Sequence, residues 1–107
     1  MRNEVILRKL LGYTRKIRGY CEGCSYAEFA ADSKLAEACV FNLSQMGELC
    51  RLAGHDLMEQ YEQIPWREMY GLRNRIVHDY EGVNLRLVWE IISEDLPELE
   101  QSLSHLL

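Results

Sequence analysis

Five side chains suited to phosphate chemistry stand close together in the run RNRIVHDY, which begins at Arg73. Arg73 and Arg75 each carry a planar guanidinium whose fixed donors match the oxygens of a phosphate. His78 carries the side chain that exchanges a proton near neutral pH, and Asn74 and Tyr80 add an amide and a phenol. Clamping a phosphate and moving a proton are together sufficient to cut a phosphodiester without a metal. The run therefore indicates a phosphodiester-cleaving site.

The same run also has a plainer interpretation. In an acidic helical protein, an Arg-rich turn that ends in His is often a solvated helix end, where the helix dipole favours a cation. On a continuous helix, Asn74 and Arg75 would share a face with His78, whereas Arg73 would lie about 140° away around the axis. Arg73 and His78 would then meet only if the last turn frayed, or across a two-fold axis between two subunits. Both possibilities stay open.

The elements that precede the run are predicted from helical periodicity, since no alternating β-branched stretch suggests a strand. A first long helix is predicted over Asn3–Tyr20. Ser25 has the position of an N-cap for a short helix that follows. A second long helix should begin at Asp32 or Ser33 and end at Gly54.

The elements around and after the run follow the same period. Pro65 suits the first turn of a motif helix that is predicted to continue to His78 or Asp79. Asn84 is a candidate cap for the last helix, which Pro97 should kink or split. The pattern predicts an all-α protein, an antiparallel bundle of four main helices.

Length and composition bound the class of protein. A chain of 107 residues is expected to form one domain, residues 1–107, with a single modest core. Hydrophobic residues make up 48% and charged residues 27%, as in ordinary soluble globular proteins. No apolar run approaches the roughly 20 residues of a membrane span, and the N-terminal residues lack a signal-peptide pattern. We therefore expect a cytoplasmic protein without membrane contact.

The charge distribution bears on nucleic-acid binding. A formal net charge of −5 argues against broad binding of DNA, which needs a wide basic surface. Two basic groups nevertheless stand out. The first lies in residues 1–20 and the second around the motif: Arg2, Arg8, Lys9, Arg15, Lys16 and Arg18, then Arg67, Arg73, Arg75 and Arg86. If the first helix packs beside the motif helix, the two groups form one basic groove; otherwise the first is a solvated basic face.

The cysteines do not predict a metal site. Cys21 and Cys24 have the spacing of a zinc or redox pair, but no second pair and no nearby His would complete a tetrahedral site. Cys39 and Cys50 fall on apolar helix positions, where a thiol acts as a small hydrophobe. We expect four reduced thiols, no bound metal and no cofactor.

Three other residues have two interpretations each. Asn42 falls on the apolar face of the second long helix, where it is either a packing-specificity residue or a site residue. Trp66 and Trp89 could stack on bases, but their apolar helix positions favour packing in the core or at a dimer interface.

The residues around the motif resemble those of a known family. IPWREMYGL runs directly into the motif, and Asn42-Leu43 and Gly47-Glu48 stand upstream on the second long helix. Together they resemble the HepT-like branch of the HEPN domains (higher eukaryotes and prokaryotes nucleotide-binding). The signature of that branch is an Arg, four residues and a His, followed one residue later by a Tyr, which Arg73, His78 and Tyr80 match. The resemblance covers essentially the whole chain and implies a HEPN-like bundle. The i,i+5 spacing of Arg73 and His78 and the surplus of apolar stripes in so short a chain predict a homodimer whose two motif helices face one cleft.

The activity that this resemblance implies is metal-independent cleavage of RNA, in which the 2′-OH attacks the adjacent phosphate. His78 would be the general acid or base, and Arg73 would stabilise the charge that grows on the phosphate oxygens. Asn74 would orient the phosphate or His78. Arg75 would be either a substrate-side phosphate contact or only a surface charge.

The resemblance also implies a partner. HepT-like proteins are toxins paired with a minimal nucleotidyltransferase (MNT), which attaches AMP to the motif Tyr, here Tyr80. Each AMP would add charge and bulk beside the clamp and silence it. The alternatives are a non-catalytic nucleotide-binding helical dimer that docks the nucleotidyltransferase, and a pure interaction bundle. The presence of both Arg73 and His78 favours the ribonuclease over the interaction bundle but does not separate it from the nucleotide-binding dimer.

Overall fold

The computed structural model describes residues 2–78 and 82–107, and of Val77 and His78 it describes only the backbone. The described chain is helical apart from one small hairpin, which confirms the all-α prediction. The helices are α1 Asn3–Cys21, α2 Tyr26–Ala31, α3 Ser33–Leu52, α4 His55–Gln60, α5 Trp66–Tyr70, α6 Leu72–Ile76, α7 Leu85–Glu90 and α8 Leu96–Leu106. A π-helical turn, Ile91–Asp95, joins α7 to α8, and the hairpin pairs β1 Val77–His78 with β2 Gly82–Val83.

Short-range hydrogen bonds set three of the helix starts, as the sequence predicted. Ser25 Oγ accepts from the Glu28 N–H at 3.1 Å, and the Glu28 carboxylate accepts from the Ser25 N–H at 3.0 Å, so α2 begins with a capping box. The Asp32 carboxylate accepts from the Leu35 N–H and caps α3. The side-chain oxygen of Asn84 caps α7 in the same way.

The core lies where α1 packs against α3 and α8. Its centre is fully buried and consists of aliphatic and sulfur-containing side chains, namely Ile6, Leu10, Ile17, Cys39, Leu43, Met46 and Leu103. Asn42 is also buried, and its Nδ2 donates to the Ala38 carbonyl at 2.7 Å on the same helix. Because this bond satisfies the amide within α3, it favours the packing role of Asn42 over a site role.

The prediction of one continuous motif helix is wrong. α5 ends at Tyr70, Gly71 interrupts the helix, and α6 lasts only to Ile76. The backbone of His78 is extended and pairs with that of Gly82, whose φ of 84° is in the left-handed region that favours glycine. The Asn84 N–H donates to the Ile76 carbonyl at 2.7 Å and closes the base of the hairpin. The helical angles expected between His78 and the residues before it therefore do not apply.

The irregularity in the last helix lies where Pro97 predicted it, but it has another form. The chain stays helical from α7 to α8, and the π-helical turn Ile91–Asp95 takes the place of a split. Pro97 lies in the first turn of α8 and has no N–H for a bond to the preceding turn. A wider turn accommodates such a residue without ending the helix.

Candidate functional site

Two of the predicted site residues face one concavity on the surface. Arg73 and Asn74 are exposed on α6 and open into a space of about 230 Å³ between α3 and the segment formed by α5 and α6. The concavity is lined by Ser44, Gly47, Glu48, Arg51, Tyr70, Arg73 and Asn74. The structure therefore brings the motif Arg and the neighbouring amide together with a polar face of α3.

Buried residues on either side fix the orientation of α6. Leu72 and Ile76 are 4% and 0% exposed, and they anchor the helix against the core. The polar residues between them point outward as a consequence of the helical repeat. On the opposite wall, Gly47 of α3 lies against the carbonyl of Met69, so α3 passes very close to the end of α5.

Arg75 faces a different space. It lines a second cavity of about 340 Å³ whose floor is apolar and whose rim carries Glu68, Asp95 and Glu98. Three carboxylates beside one guanidinium make that rim unfavourable for a phosphate. The structure thus separates Arg75 from Arg73 and Asn74, with which the sequence had grouped it.

Three residues of the concavity, Glu48, Arg51 and Tyr70, were not predicted as site residues from the sequence. Arg51 Nε donates to both carboxylate oxygens of Glu48, at 3.0 and 3.1 Å, and Nη2 donates to the same group. This pair lowers the pKa of Glu48 and raises that of Arg51 from their ordinary values. Tyr70 is 57% exposed at the end of α5. The i,i+3 spacing of Glu48 and Arg51 was visible in the sequence, but nothing there placed them beside Arg73.

The remaining two motif residues, His78 and Tyr80, follow α6 in the sequence. The backbone of His78 lies in β1, the first strand of the hairpin, two residues beyond the end of α6. The imidazole of His78 and the whole of Tyr80 lie outside the described residues. Their assigned roles therefore stay predictions.

The basic residues of α1 do not form one groove with the basic residues around the motif. The principal packing partners of α1 are α3 and α8, whereas α6 packs against α3, α5 and α7. Arg8 pairs with Glu4 at 2.8 Å, and Arg15 and Arg18 pair with Glu100 at 3.5 and 2.7 Å. This arrangement fits the alternative of a solvated basic face, partly neutralised by carboxylates.

The two tryptophans contact protein groups. Trp66 is buried, and its Nε1 donates to the Tyr61 carbonyl at 2.9 Å. Trp89 packs with its ring centroid 5.1 Å from that of Phe29 and 6.3 Å from that of Tyr26. These contacts agree with the interpretation of both residues as packing side chains.

The cysteines lie away from the motif. The Sγ atoms of Cys21 and Cys39 are 3.6 Å apart, and burial raises the pKa of both thiols. Burial also raises the pKa of Cys50 to about 12, whereas Cys24 is partly exposed. Within residues 2–78 and 82–107, no three His, Cys, Asp or Glu side chains form a group that could hold a metal ion.

Over the same residues, every helix is too short or too polar to cross a membrane.

Comparison with known proteins identifies the class. The profile of the family described as "Ribonuclease HepT-like" matches residues 10–106. A protein of Caldanaerobacter subterraneus subsp. tengcongensis, named as a candidate RNase, is 35% identical over 80% of this chain and 77% of its own length. The mRNA nuclease HepT of Shewanella oneidensis is 27% identical over 92% of this chain and 93% of its own length. No solved structure matches the chain significantly.

The helical bundle is that of a HEPN-type domain. The chain belongs to the HepT-like ribonuclease family.

Proposed function

We propose that this protein is a cytoplasmic endoribonuclease toxin that cuts RNA without a metal, with Arg73 and His78 as its catalytic pair. The observation that carries the proposal is the concavity of α3, α5 and α6, into which Arg73 and Asn74 open directly before the strand of His78. Family membership supports the reaction type, since relatives along most of the chain are named as nucleases.

The proposed reaction uses a nucleophile from the substrate. The 2′-oxygen forms a bond to the adjacent phosphorus as the bond from phosphorus to the 5′-oxygen breaks. His78 accepts the 2′-OH proton while water protonates the leaving 5′-oxygen, or water takes the 2′-OH proton while His78 donates one to the 5′-oxygen. The Arg73 guanidinium neutralises charge on the phosphate oxygens. Asn74 donates an amide N–H to the phosphate or to the imidazole. The products are a 2′,3′-cyclic phosphate and a 5′-OH.

A cleavage assay with matched variants tests this proposal. Wild type should cut single-stranded RNA in EDTA, whereas Arg73→Ala and His78→Ala should each cut at least about 10²-fold more slowly with unchanged circular dichroism. Arg8→Ala is the control, because Arg8 is also an exposed, helical arginine but lies on α1. A requirement for magnesium, or full activity of either motif variant, would contradict the mechanism. Nucleotide binding without cleavage would instead favour the non-catalytic, nucleotide-binding dimer.

The second part of the proposal is a homodimer whose two motif segments face one cleft. An apolar groove supports it, lined by Ala30, Ala36, Val40, Phe41, Val83 and Leu85 among others. Phe41 is 62% exposed on α3, and Val83 belongs to the hairpin that also holds His78. A second copy that covers this groove would therefore contact the motif hairpin and help to form the active cleft.

Oligomeric state and activity together test the dimer. Light scattering should give twice the chain mass at micromolar concentration, and Phe41→Asp should give a monomer with reduced cleavage. The control is Leu52→Asp, an exposed apolar residue of α3 outside the groove. A monomeric wild type, or a dimer with its two His78 residues on opposite outer faces, would contradict the proposal.

The third part concerns regulation by a partner. We propose that a minimal nucleotidyltransferase attaches AMP to Tyr80 and thereby silences the nuclease. The family resemblance supports this step, and the placement of Tyr80 two residues after His78 gives it a physical basis. A phosphodiester attached there would compete with the RNA backbone for Arg73.

A further inference from the structure

Tyr70 is an exposed aromatic ring beside the motif arginine. It ends α5, next to the buried Met69, and it lines the same concavity as Arg73 and Asn74. Exposed aromatic rings next to cationic groups are the usual platforms for unstacked bases, because every base offers a π-face. An aromatic residue at 57% exposure beside a phosphate clamp is therefore well placed to bind a base.

Arg51 gives the concavity a second guanidinium, which is hydrogen-bonded to a carboxylate of its own helix. The bonds from Nε and Nη2 to Glu48 hold the planar group across one turn of α3. Its Nη1 makes no hydrogen bond to the part of the chain that the structure describes. A restrained guanidinium loses less side-chain entropy when it binds a phosphate.

We propose that Tyr70 and Arg51 form a subsite for single-stranded RNA next to the catalytic phosphate. Tyr70 stacks on a nucleobase, and Arg51 contacts a phosphate that neighbours the one held by Arg73. Glu48 is a positioning residue for Arg51. The inference rests on the proposed ribonuclease function and extends it, since it explains how a protein of net charge −5 holds RNA.

Equilibrium binding to an RNA that cannot be cut tests the stacking role. The probe is a fluorescein-labelled single-stranded RNA with 2′-O-methyl groups throughout, measured by anisotropy with the full-length protein. Tyr70→Ala should weaken binding by about tenfold or more, and Tyr70→Phe should restore it, because both aromatic rings stack. The control is Tyr20→Ala, since Tyr20 is also exposed, at 45%, but lies on α1 outside the concavity.

The salt dependence of the same binding tests Arg51. Arg51→Gln should reduce the slope of log Kd against log salt concentration by about 0.7, the value for one phosphate contact on a single strand. Arg8→Gln removes another exposed arginine that is also paired with a glutamate on its own helix, and it should leave the slope unchanged.

The outcomes separate this inference from the proposed function. If wild type neither cuts RNA nor binds the probe, the ribonuclease function fails. If wild type cuts RNA but Tyr70→Ala and Arg51→Gln bind as wild type does, only the subsite is overturned. It is also overturned if Tyr70→Phe binds as weakly as Tyr70→Ala, or if Tyr70→Ala changes the mass in light scattering, because Tyr70 would then belong to a protein interface.

Discussion

Gly47 of α3 lies so close to Met69 of α5 that a Cβ on Gly47 would be 2.9 Å from the Met69 carbonyl oxygen. Real Cβ atoms essentially never approach an atom that closely, and the neighbour is backbone rather than a flexible side chain. The close approach sets the width of the concavity that Arg73 and Arg51 share across α3 and α6. A residue without a side chain on α3 therefore determines the geometry of the candidate site.

Gly47→Ala should widen the concavity and reduce cleavage. The added methyl group should cost about 1–3 kcal/mol of unfolding free energy, as overpacking does elsewhere. Gly12→Ala is the control, since Gly12 lies in α1 with no atom within 4 Å of the added Cβ. That substitution should stabilise the protein by about 0.5–1 kcal/mol, because glycine is unfavourable within a helix. Chemical denaturation and an RNA cleavage assay measure both effects. Wild-type stability and activity in Gly47→Ala would show that α3 can move without consequence.

Arg73→Ala and Arg75→Ala should differ greatly in their kcat/KM for RNA cleavage, although the two residues are only two positions apart. Arg73 faces the concavity with Asn74, so its loss should reduce kcat/KM by about 10²–10³, as when a donor to a developing oxyanion is removed. Arg75 lines the other cavity, beside Glu68 and Asp95, so Arg75→Ala should change kcat/KM less than about threefold. Single-turnover cleavage of an RNA oligonucleotide provides the measurement. Equal losses of kcat/KM in the two variants would contradict the assignment of Arg73 and Arg75 to different cavities.

Tyr80→Phe should produce a toxin that its partner's enzymatic activity cannot silence. Co-expressed with a minimal nucleotidyltransferase, wild type should gain one or more AMP units, and the Phe variant, which lacks the phenol oxygen, should gain none. Intact-mass spectrometry measures the modification, and RNA cleavage measures its effect. Tyr70→Phe is the matched control, since it removes an exposed phenol elsewhere in the chain. AMP on Tyr80→Phe, or full activity of modified wild type, would refute the switch.

Cys24 should be the first thiol to react with a disulfide reagent in the native protein. It is partly exposed, whereas Cys21, Cys39 and Cys50 are buried and have raised pKa values, so their reactive thiolates are scarce. A colorimetric thiol assay at about pH 8 should show one fast thiol before unfolding and four after it. Cys24→Ser should abolish the fast phase, and a fast phase that survives in this variant would show that a buried thiol is accessible.

The free energy of unfolding should decrease as the pH rises above about 9. Burial raises the pKa of Cys50 from 9.0 to about 12, so between these values the unfolded chain loses a proton that the folded chain keeps. Ionisation then favours the unfolded state, and the stabilisation that is present below pH 9 is lost as the pH approaches 12. Urea titrations across this range should show a shallower decline for Cys50→Ala than for wild type. Identical slopes would mean that the Cys50 thiol does not contribute to the pH dependence of the free energy of unfolding.

Local interactions allowed the sequence to determine much of this protein by itself. The caps at Ser25, Asp32 and Asn84 are bonds between a side chain and a backbone N–H three residues later, so short spacings reveal them. The helical class and the start of α1 follow from apolar periodicity over long stretches. The motif itself, from Arg73 to Tyr80, is a matter of residue type and spacing and needs no coordinates.

The tertiary structure alone decided how the motif is divided. Helical spacing placed His78 on the motif helix. In the structure that helix ends at Ile76, whose side chain is buried and whose carbonyl accepts a hydrogen bond from the Asn84 N–H. A hairpin starts at this point. The assignment of Arg73 and Arg75 to different cavities depends on where α3 and the π-helical turn lie relative to α6, because residues of these elements line the two cavities. The approach of Arg51 and Tyr70 to Arg73 likewise depends on the close packing at Gly47. These are contacts between residues distant in the chain, and their energies have no signature in local spacing.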